Sequence, residues 1–319
     1  MPYPILLALL LLALSTAGGA TAQSVEIENL RVHLADRDTA AQIVPVTFEV
    51  AWSDSWRDSE SWDAVWLFAK FEREPGVWGD LRFAAEATAE GNAPATATPS
   101  VLPAGHANGL VLHRAADGRG DVQLTVQATW TYGASYFDLP EDGVPVRLLG
   151  VELVHVPGGP FEVGEAVIDS LRQPNAFRSA DGGAYRVASE DELAVGTGPS
   201  ALYYDVPDGE AYVGGDQAGP IPAAFPKGTE AFYVMKCPIT QGQYADFLAL
   251  LPPRARAARD ITAYPSYTDE GGTISCDDEG CSALQPGRAA NFLGWADGIG
   301  WASWAGLRPM TELEYEKAA

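Results

Sequence analysis

Apolar and polar residues alternate along much of the first half of the chain, and this alternation predicts β-strands. In residues 46–52, and again in residues 122–130, every second residue is apolar and its neighbours are mostly polar or small. This period of two is typical of a strand with one buried face. Residues 64–71 (AVWLFAKF) are apolar everywhere except at Lys70. That segment therefore predicts a strand that is buried more deeply.

Turn-forming residues are concentrated between these strands, for example in residues 53–61, as they are in β-sandwiches. Residues 85–104 are rich in Ala, Thr and Pro without a regular period, so we predict a long loop there. We expect residues 23–150 to form a β-sandwich similar to fibronectin or immunoglobulin modules. Residues 165–227 are irregular and rich in Gly and Pro. Such a stretch is compatible with a compact second domain, residues 151–319, only if that domain belongs to a loop-rich class.

A capping box predicts the start of a helix after Thr240. Thr240 and Gln243 are three residues apart, so each side chain can bond the free backbone N–H of the other. Apolar residues follow at helical spacing, namely Tyr244, Phe247, Leu248 and Leu251. Pro252-Pro253 is expected to end this helix, because neither residue has a backbone N–H to donate.

Thr311 and Glu314 have the spacing of a second capping box, shortly after Pro309. We expect the helix that it starts to have about nine residues, too few to be stable without tertiary packing. No later segment of the sequence could cover its apolar side, so we expect the domain to be incomplete at Ala319. The aromatic-rich residues 292–304 before it also predict a helix, although three Gly residues weaken that prediction.

The N-terminus has the features of a secretory signal peptide. An apolar run over residues 5–14 is too short to cross a bilayer, and Ala20-Thr21-Ala22 matches an A-x-A cleavage signal. We predict cleavage before Gln23 and a secreted, periplasmic or cell-surface protein with no membrane span after cleavage.

Export would place the three cysteines in an oxidising compartment. In an oxidising compartment Cys276 and Cys281, which bracket a four-residue loop, are predicted to form a disulfide, the alternative being two free thiols. Cys237 lies in an apolar, strand-like segment and is predicted to be a buried structural thiol rather than a nucleophile.

Net charge and motifs limit the function classes. The formal charge is −23, with 43 acidic residues against 20 basic ones, which argues against nucleic-acid binding and against attachment to an anionic membrane. The four His residues are not at the i, i+4 spacing of a helical metal site. The acidic residues near the Cys pair lack EF-hand spacing, so a solvated loop is favoured over a cation site. Serine-hydrolase and nucleotide-binding motifs are absent from the sequence.

Three segments together resemble the sulfatase-modifying-factor family, whose founding members are the formylglycine-generating enzymes. Residues 151–164 are similar to the family's opening strand-turn-strand, and residues 231–248 to its strand that leads into a capped helix. Residues 289–319 are similar to a Trp-containing helix followed by the family signature. The matching signature positions are Arg308, Pro309, Thr311, Glu312, Glu314 and Glu316. Met310 is an inserted residue that departs from the usual signature.

The resemblance implies that residues 151–319 have a loop-rich α+β fold like that of C-type lectins. For the signature, we favour a structural role in which Arg308 pairs with a nearby carboxylate and Thr311 caps the helix. Three Trp residues could stack on a sugar, but their near-helical spacing favours core positions: Trp295, Trp301 and Trp304.

Two functions follow as hypotheses. The complete protein could be an exported oxidase of the formylglycine-generating type, which uses oxygen and a metal to oxidise a Cys of a partner polypeptide. The resemblance implies copper and calcium, but with ligands outside this chain; Cys276 and Cys281 do not occupy the copper-binding positions. The chain as given is therefore predicted to be inactive. The alternative is a non-catalytic binding or structural module at the cell surface, with a glycan as one possible ligand.

Overall fold

The computed structural model describes residues 25–102, 105–164, 177–181, 183–204, 219–277 and 280–319. The predicted signal peptide, residues 1–22, lies outside the described residues. Over the described residues the chain is mostly antiparallel β-sheet with few helices, which is compatible with the predicted α+β class. No helix in this part of the chain is both long enough and apolar enough to cross a membrane.

The strands are β1 (Glu26–Val32), β2 (Ile43–Arg57), β3 (Asp63–Glu74), β4 (Val77–Asp80), β5 (Phe83–Gly91), β6 (Ala95–Val101), β7 (Ala107–Arg114), β8 (Gly118–Thr131), β9 (Val146–Val156), β10 (Phe161–Val163), β11 (Phe177–Ser179), β12 (Tyr185–Val187), β13 (Leu202–Tyr204), β14 (Phe232–Met235), β15 (Ile274–Cys276) and β16 (Cys281–Ala283). The α-helices are α1 (Gln241–Leu250), α2 (Pro253–Arg259), α3 (Trp295–Trp304) and α4 (Glu312–Ala318).

Ten of the strands form one antiparallel sheet. Its strand order is β1-β2-β8-β5-β7-β3-β9-β14, with β4 paired to β3 and β6 paired to β7. The prediction of a long loop over residues 85–104 is wrong, because β5 and β6 occupy most of it. These two strands are largely exposed and built from small residues, so they lack the apolar alternation that reveals a half-buried strand. Their pairing with β8 and β7 comes from tertiary contacts.

Strand β3 is buried on both faces, as its apolar sequence predicts. Val65, Leu67 and Phe71 point into a core formed by the N-terminal strands, whereas Trp66 and Phe68 point into a second core. The second core also contains side chains of β9, α1 and α3. Because successive residues of a strand face opposite ways, one strand serves both cores.

The predicted domain boundary, between residues 150 and 151, falls inside strand β9. One part of β9 pairs with β3 from Val146 to Val154, and its end pairs with β14. Lys236, just after β14, donates to Glu152 on β9 at 2.7 Å and lies 3.9 Å from Asp63 on β3. The two parts of the chain therefore share a continuous sheet here.

The elements after residue 156 are short. β10 pairs with β12, and β11 pairs with β13; their side chains pack with Leu313 of α4 in a third core. Helix α1 begins at the predicted capping box and ends at Leu250, just before the Pro pair. The Pro pair also begins a helix that we did not predict, because Pro253 is the first residue of α2, a position where its missing N–H costs nothing.

Candidate functional site

A cleft lies where the N-terminal strands meet the helices of the second half. Its volume is about 380 Å³. It is lined by residues of β1, β3, β9, α1 and α3, and by the loop before α3: Val25, Ile27, Phe68, Leu148, Leu149, Gly150, Val151, Thr240, Gly242, Gln243, Asp246, Pro286, Gly287, Trp301 and Trp304. Clefts of this size at a junction between structural units are common sites for small ligands.

The capping box of α1 sets one wall of the cleft. Thr240 Oγ1 accepts from the backbone N of Gln243 at 3.2 Å, and the Gln243 side chain accepts from the backbone N of Thr240 at 3.0 Å. Gln243 Nε2 also donates to the Gly150 carbonyl of β9 at 3.4 Å. A Cβ at Gly150 would lie 2.8 Å from Val25 Cγ1, so any larger residue here would require the Val25 side chain to shift.

The opposite wall, α3, is attached to β3 by two buried side chains. Trp66 Nε1 donates to the Ala305 carbonyl at 2.7 Å, and Lys70 Nζ donates to the Trp304 carbonyl at 2.5 Å. Lys70 also pairs with Asp80. Burial lowers the pKa of Lys70 from its usual value, and the charge of Asp80 partly opposes this shift. Because a cation and an indole N–H bond the last carbonyls of α3, the end of this helix is held against the sheet.

Asp246 is the one charged side chain among the described residues that line the cleft. It lies on α1, and 43% of its side chain is exposed. Its ion-pair partner is Arg147 of β9, at 4.0 Å. Burial raises the pKa of Asp246 above its usual value, while Arg147 acts to lower it. The carboxylate is thus incompletely solvated and weakly paired.

The signature residues lie outside the lining of this cleft. Three of them, Arg308, Thr311 and Glu314, form a polar clamp at the start of α4. Arg308 donates two hydrogen bonds to the Glu314 carboxylate, at 2.8 and 2.5 Å. The same carboxylate accepts from the backbone N of Thr311 at 2.8 Å, and Thr311 Oγ1 accepts from the backbone N of Glu314 at 3.1 Å. Thr311 Oγ1 also donates to the Pro226 carbonyl at 3.0 Å.

Glu314 is the centre of the clamp, with only 2% of its surface exposed. Burial alone would raise its pKa, but the hydrogen bonds from Arg308 and Thr311 outweigh this and lower it. The other signature residues are more accessible: Pro309 and Glu312 are exposed, and Glu316 is half-buried. Arg308 thus pairs with a nearby carboxylate and Thr311 caps α4.

The cysteines differ in their environments. Cys276 and Cys281 form a disulfide, with their Sγ atoms 2.07 Å apart, and link β15 to β16. Cys237 is half-buried, not fully buried as we predicted, because it follows the end of β14. Burial raises the pKa of its thiol, which disfavours the nucleophilic thiolate.

The described residues do not fit the implied metal sites. A bonded Cys pair has no thiolates to offer copper. In the part of the chain that the structure describes, no group of three or more His, Cys, Asp or Glu side chains could hold a metal ion. In the acidic loop, Asp277 accepts from the Gly280 backbone N at 3.1 Å, while Asp278 and Glu279 lie outside the described residues.

The three tryptophans are divided between core and surface. Trp301 is fully buried and Trp304 is half-buried, whereas 75% of Trp295 is exposed. The prediction of a core position is therefore wrong for Trp295. As the first residue of α3, it lies where the helix emerges from the preceding loop.

An aromatic stack next to β14, the last strand in the sheet order, was not predicted from the sequence. The Trp62 ring lies between the Arg57 guanidinium, 4.2 Å from its centroid, and the His155 ring, at 3.6 Å. Trp62 Nε1 donates to Tyr233 Oη at 3.1 Å. Burial lowers the pKa of His155, which favours the neutral ring. These residues are far apart in sequence, and no local pattern could have grouped them.

Comparison with known proteins finds no family model, curated protein or solved structure that matches this chain.

Proposed function

We propose that this chain is an exported binding protein whose ligand site is the cleft between its two halves. In this proposal residues 23–150 form a β-sandwich, and residues 151–319 form a C-type-lectin-like unit of the sulfatase-modifying-factor kind. The β-sandwich positions this unit at the cell surface or outside the cell.

The spatial arrangement of the three resembling segments supports the assignment of the second unit. β9, from the first segment, pairs with β14, from the second. Trp301, from the third segment, donates from Nε1 to the Gln243 carbonyl of α1 at 3.4 Å. The segments thus meet in one core, although about 140 residues separate the start of the first from the start of the third.

One observation carries the proposal of binding: a concave site of about 380 Å³ at a junction that is fixed on both sides. α1 is held to β9 by Gln243, and α3 is held to β3 by Trp66 and Lys70. A cleft with fixed walls needs little reorganisation when a ligand enters, which favours affinity.

A fragment screen by ligand-observed NMR would test this proposal. Leu149→Trp should fill the cleft and abolish fragment binding, and Val25→Trp, at a residue packed beside Gly150, should do the same. Leu284→Trp is the matched control, because it adds the same ring at a side chain that is 89% exposed and lies outside the cleft. Fragments that bind the wild type and Leu284→Trp, but neither cleft variant, would support the proposal. Equal binding to all four proteins, or no binding to the wild type, would contradict it.

The second candidate function is the oxidation of a Cys in a partner polypeptide by a longer form of the protein. The signature clamp supports this candidate. Since the described residues do not fit the copper site, we propose no oxidation by this chain itself. A Cys-containing peptide incubated with the chain, copper and oxygen should form no aldehyde at its Cys, as measured by mass spectrometry. Formation of an aldehyde at the Cys would overturn this expectation.

A further inference from the structure

The chemistry of the cleft lining indicates what kind of ligand it accepts, and this inference rests on the proposed function. Most of the lining is aliphatic or aromatic, including Phe68, Leu149 and Val151. The lining also includes the carboxylate of Asp246. A ligand that fits both features has an apolar body and one positive charge.

The existing partner of Asp246 leaves room for such a ligand. The Arg147 nitrogen is 4.0 Å from the Asp246 carboxylate, beyond the usual hydrogen-bond distance, and 54% of the Arg147 side chain is exposed. An exposed ion pair of this kind contributes little to stability. A ligand ammonium group would therefore displace Arg147 at little cost and form a shorter, charge-assisted hydrogen bond.

We infer that the cleft binds small molecules or side chains that carry a protonated amino group on an apolar body. Asp246 pairs with the ammonium group, and the walls formed by β9, α1 and α3 enclose the body. The net charge of −23 favours the approach of cations and opposes that of anions.

The raised pKa of Asp246 gives this inference a pH dependence. The ammonium group pairs only with the ionised carboxylate, so binding should weaken as the pH falls through the pKa of Asp246. Arg147 is the other charged group that faces it. Conversely, a bound cation should lower the pKa of Asp246, so binding near that pH releases protons.

Three probes with the same ring and different charge test the inference: phenethylamine, 2-phenylethanol and phenylacetate. Titration calorimetry at pH 7 should give at least tenfold tighter binding of the amine than of the alcohol, and the weakest binding for the acid. In Asp246→Asn the amine should bind no more tightly than the alcohol. Arg147→Gln removes the competing cation and should tighten amine binding two- to fivefold.

Glu86→Gln is the control for the loss of one negative charge, because Glu86 is exposed on β5 and does not line the cleft. It should leave the preference for the amine unchanged. If the alcohol or the acid binds as tightly as the amine, the cleft is a binding site but its preference for cations is refuted. If no probe binds and the fragment screen also fails, the proposed function itself is wrong.

Discussion

The N-terminal strands bury rows of large apolar side chains, whereas the start of α4 depends on a polar clamp around one buried carboxylate. Phe48, Phe71 and Trp130 are almost completely buried in the first core. In the clamp, the single carboxylate of Glu314 accepts hydrogen bonds from the Arg308 guanidinium and from the Thr311 backbone N–H. Hydrophobic burial is distributed and non-directional, while a polar clamp concentrates its contribution in a few directional contacts.

The difference predicts how the free energy of unfolding responds to substitutions in the first core and in the clamp. A core built from many apolar contacts loses free energy in proportion to the volume removed and tolerates changes of polarity at its edges. A clamp fails when one acceptor is removed, because its donors are then left without a partner. Three substitutions test this comparison, and we describe them from the largest expected effect to the smallest.

Trp130→Ala should have the largest effect. The ring lies 5.0 Å from that of Phe71, centroid to centroid, and is completely buried, so its removal leaves a large cavity. We expect the free energy of unfolding to fall by about 3–5 kcal/mol, as measured by urea denaturation. Trp130→Phe is the control. Since Trp130 Nε1 is buried without a hydrogen-bond partner among the described residues, losing the N–H should offset part of the lost volume.

Glu314→Ala should have the next largest effect. It removes the acceptor for Arg308 and for the Thr311 backbone, and we expect a loss of about 2–3 kcal/mol. Hydrogen exchange should increase in α4 and in the loop at Pro226, but not in β8. Glu312→Ala, a neighbouring exposed carboxylate, is the matched control and should cost less than about 1 kcal/mol.

The same clamp predicts a pH dependence. Because the folded protein holds the pKa of Glu314 below its usual value, the clamp contributes fully above the unfolded pKa and is lost as the pH falls through the folded pKa. The stability difference between the wild type and Glu314→Gln should therefore shrink below about pH 4. A difference that stayed constant with pH would show that Glu314 acts through its shape alone.

Trp295→Ala should have the smallest effect, less than about 0.5 kcal/mol, because most of the ring is already exposed to water. Trp301→Ala is the comparison, since that ring of α3 is buried against α1 and its loss should cost several times more free energy of unfolding. A large destabilisation by Trp295→Ala would mean that this ring packs in solution.

The sequence was most informative where the interaction is local. The capping boxes at Thr240 and Thr311 join residues three positions apart, so their geometry follows from the helix itself. Strand β3 could be predicted because burial on both faces leaves an unbroken apolar run. Strands β5 and β6 could not, because exposed strands of small residues carry no such pattern.

By itself, then, the sequence determined the half-buried and doubly buried strands, the start of each capped helix and the resemblance that suggested a function. Only the tertiary structure brought Val25, Leu149 and Asp246 together in a cleft, and Trp62, His155 and Tyr233 in a stack. The physical reason is the separation along the chain of the residues that set each feature. Caps and periodicity are set by neighbours along the chain, whereas a cleft is set by strands and helices that meet only when the whole sheet has formed.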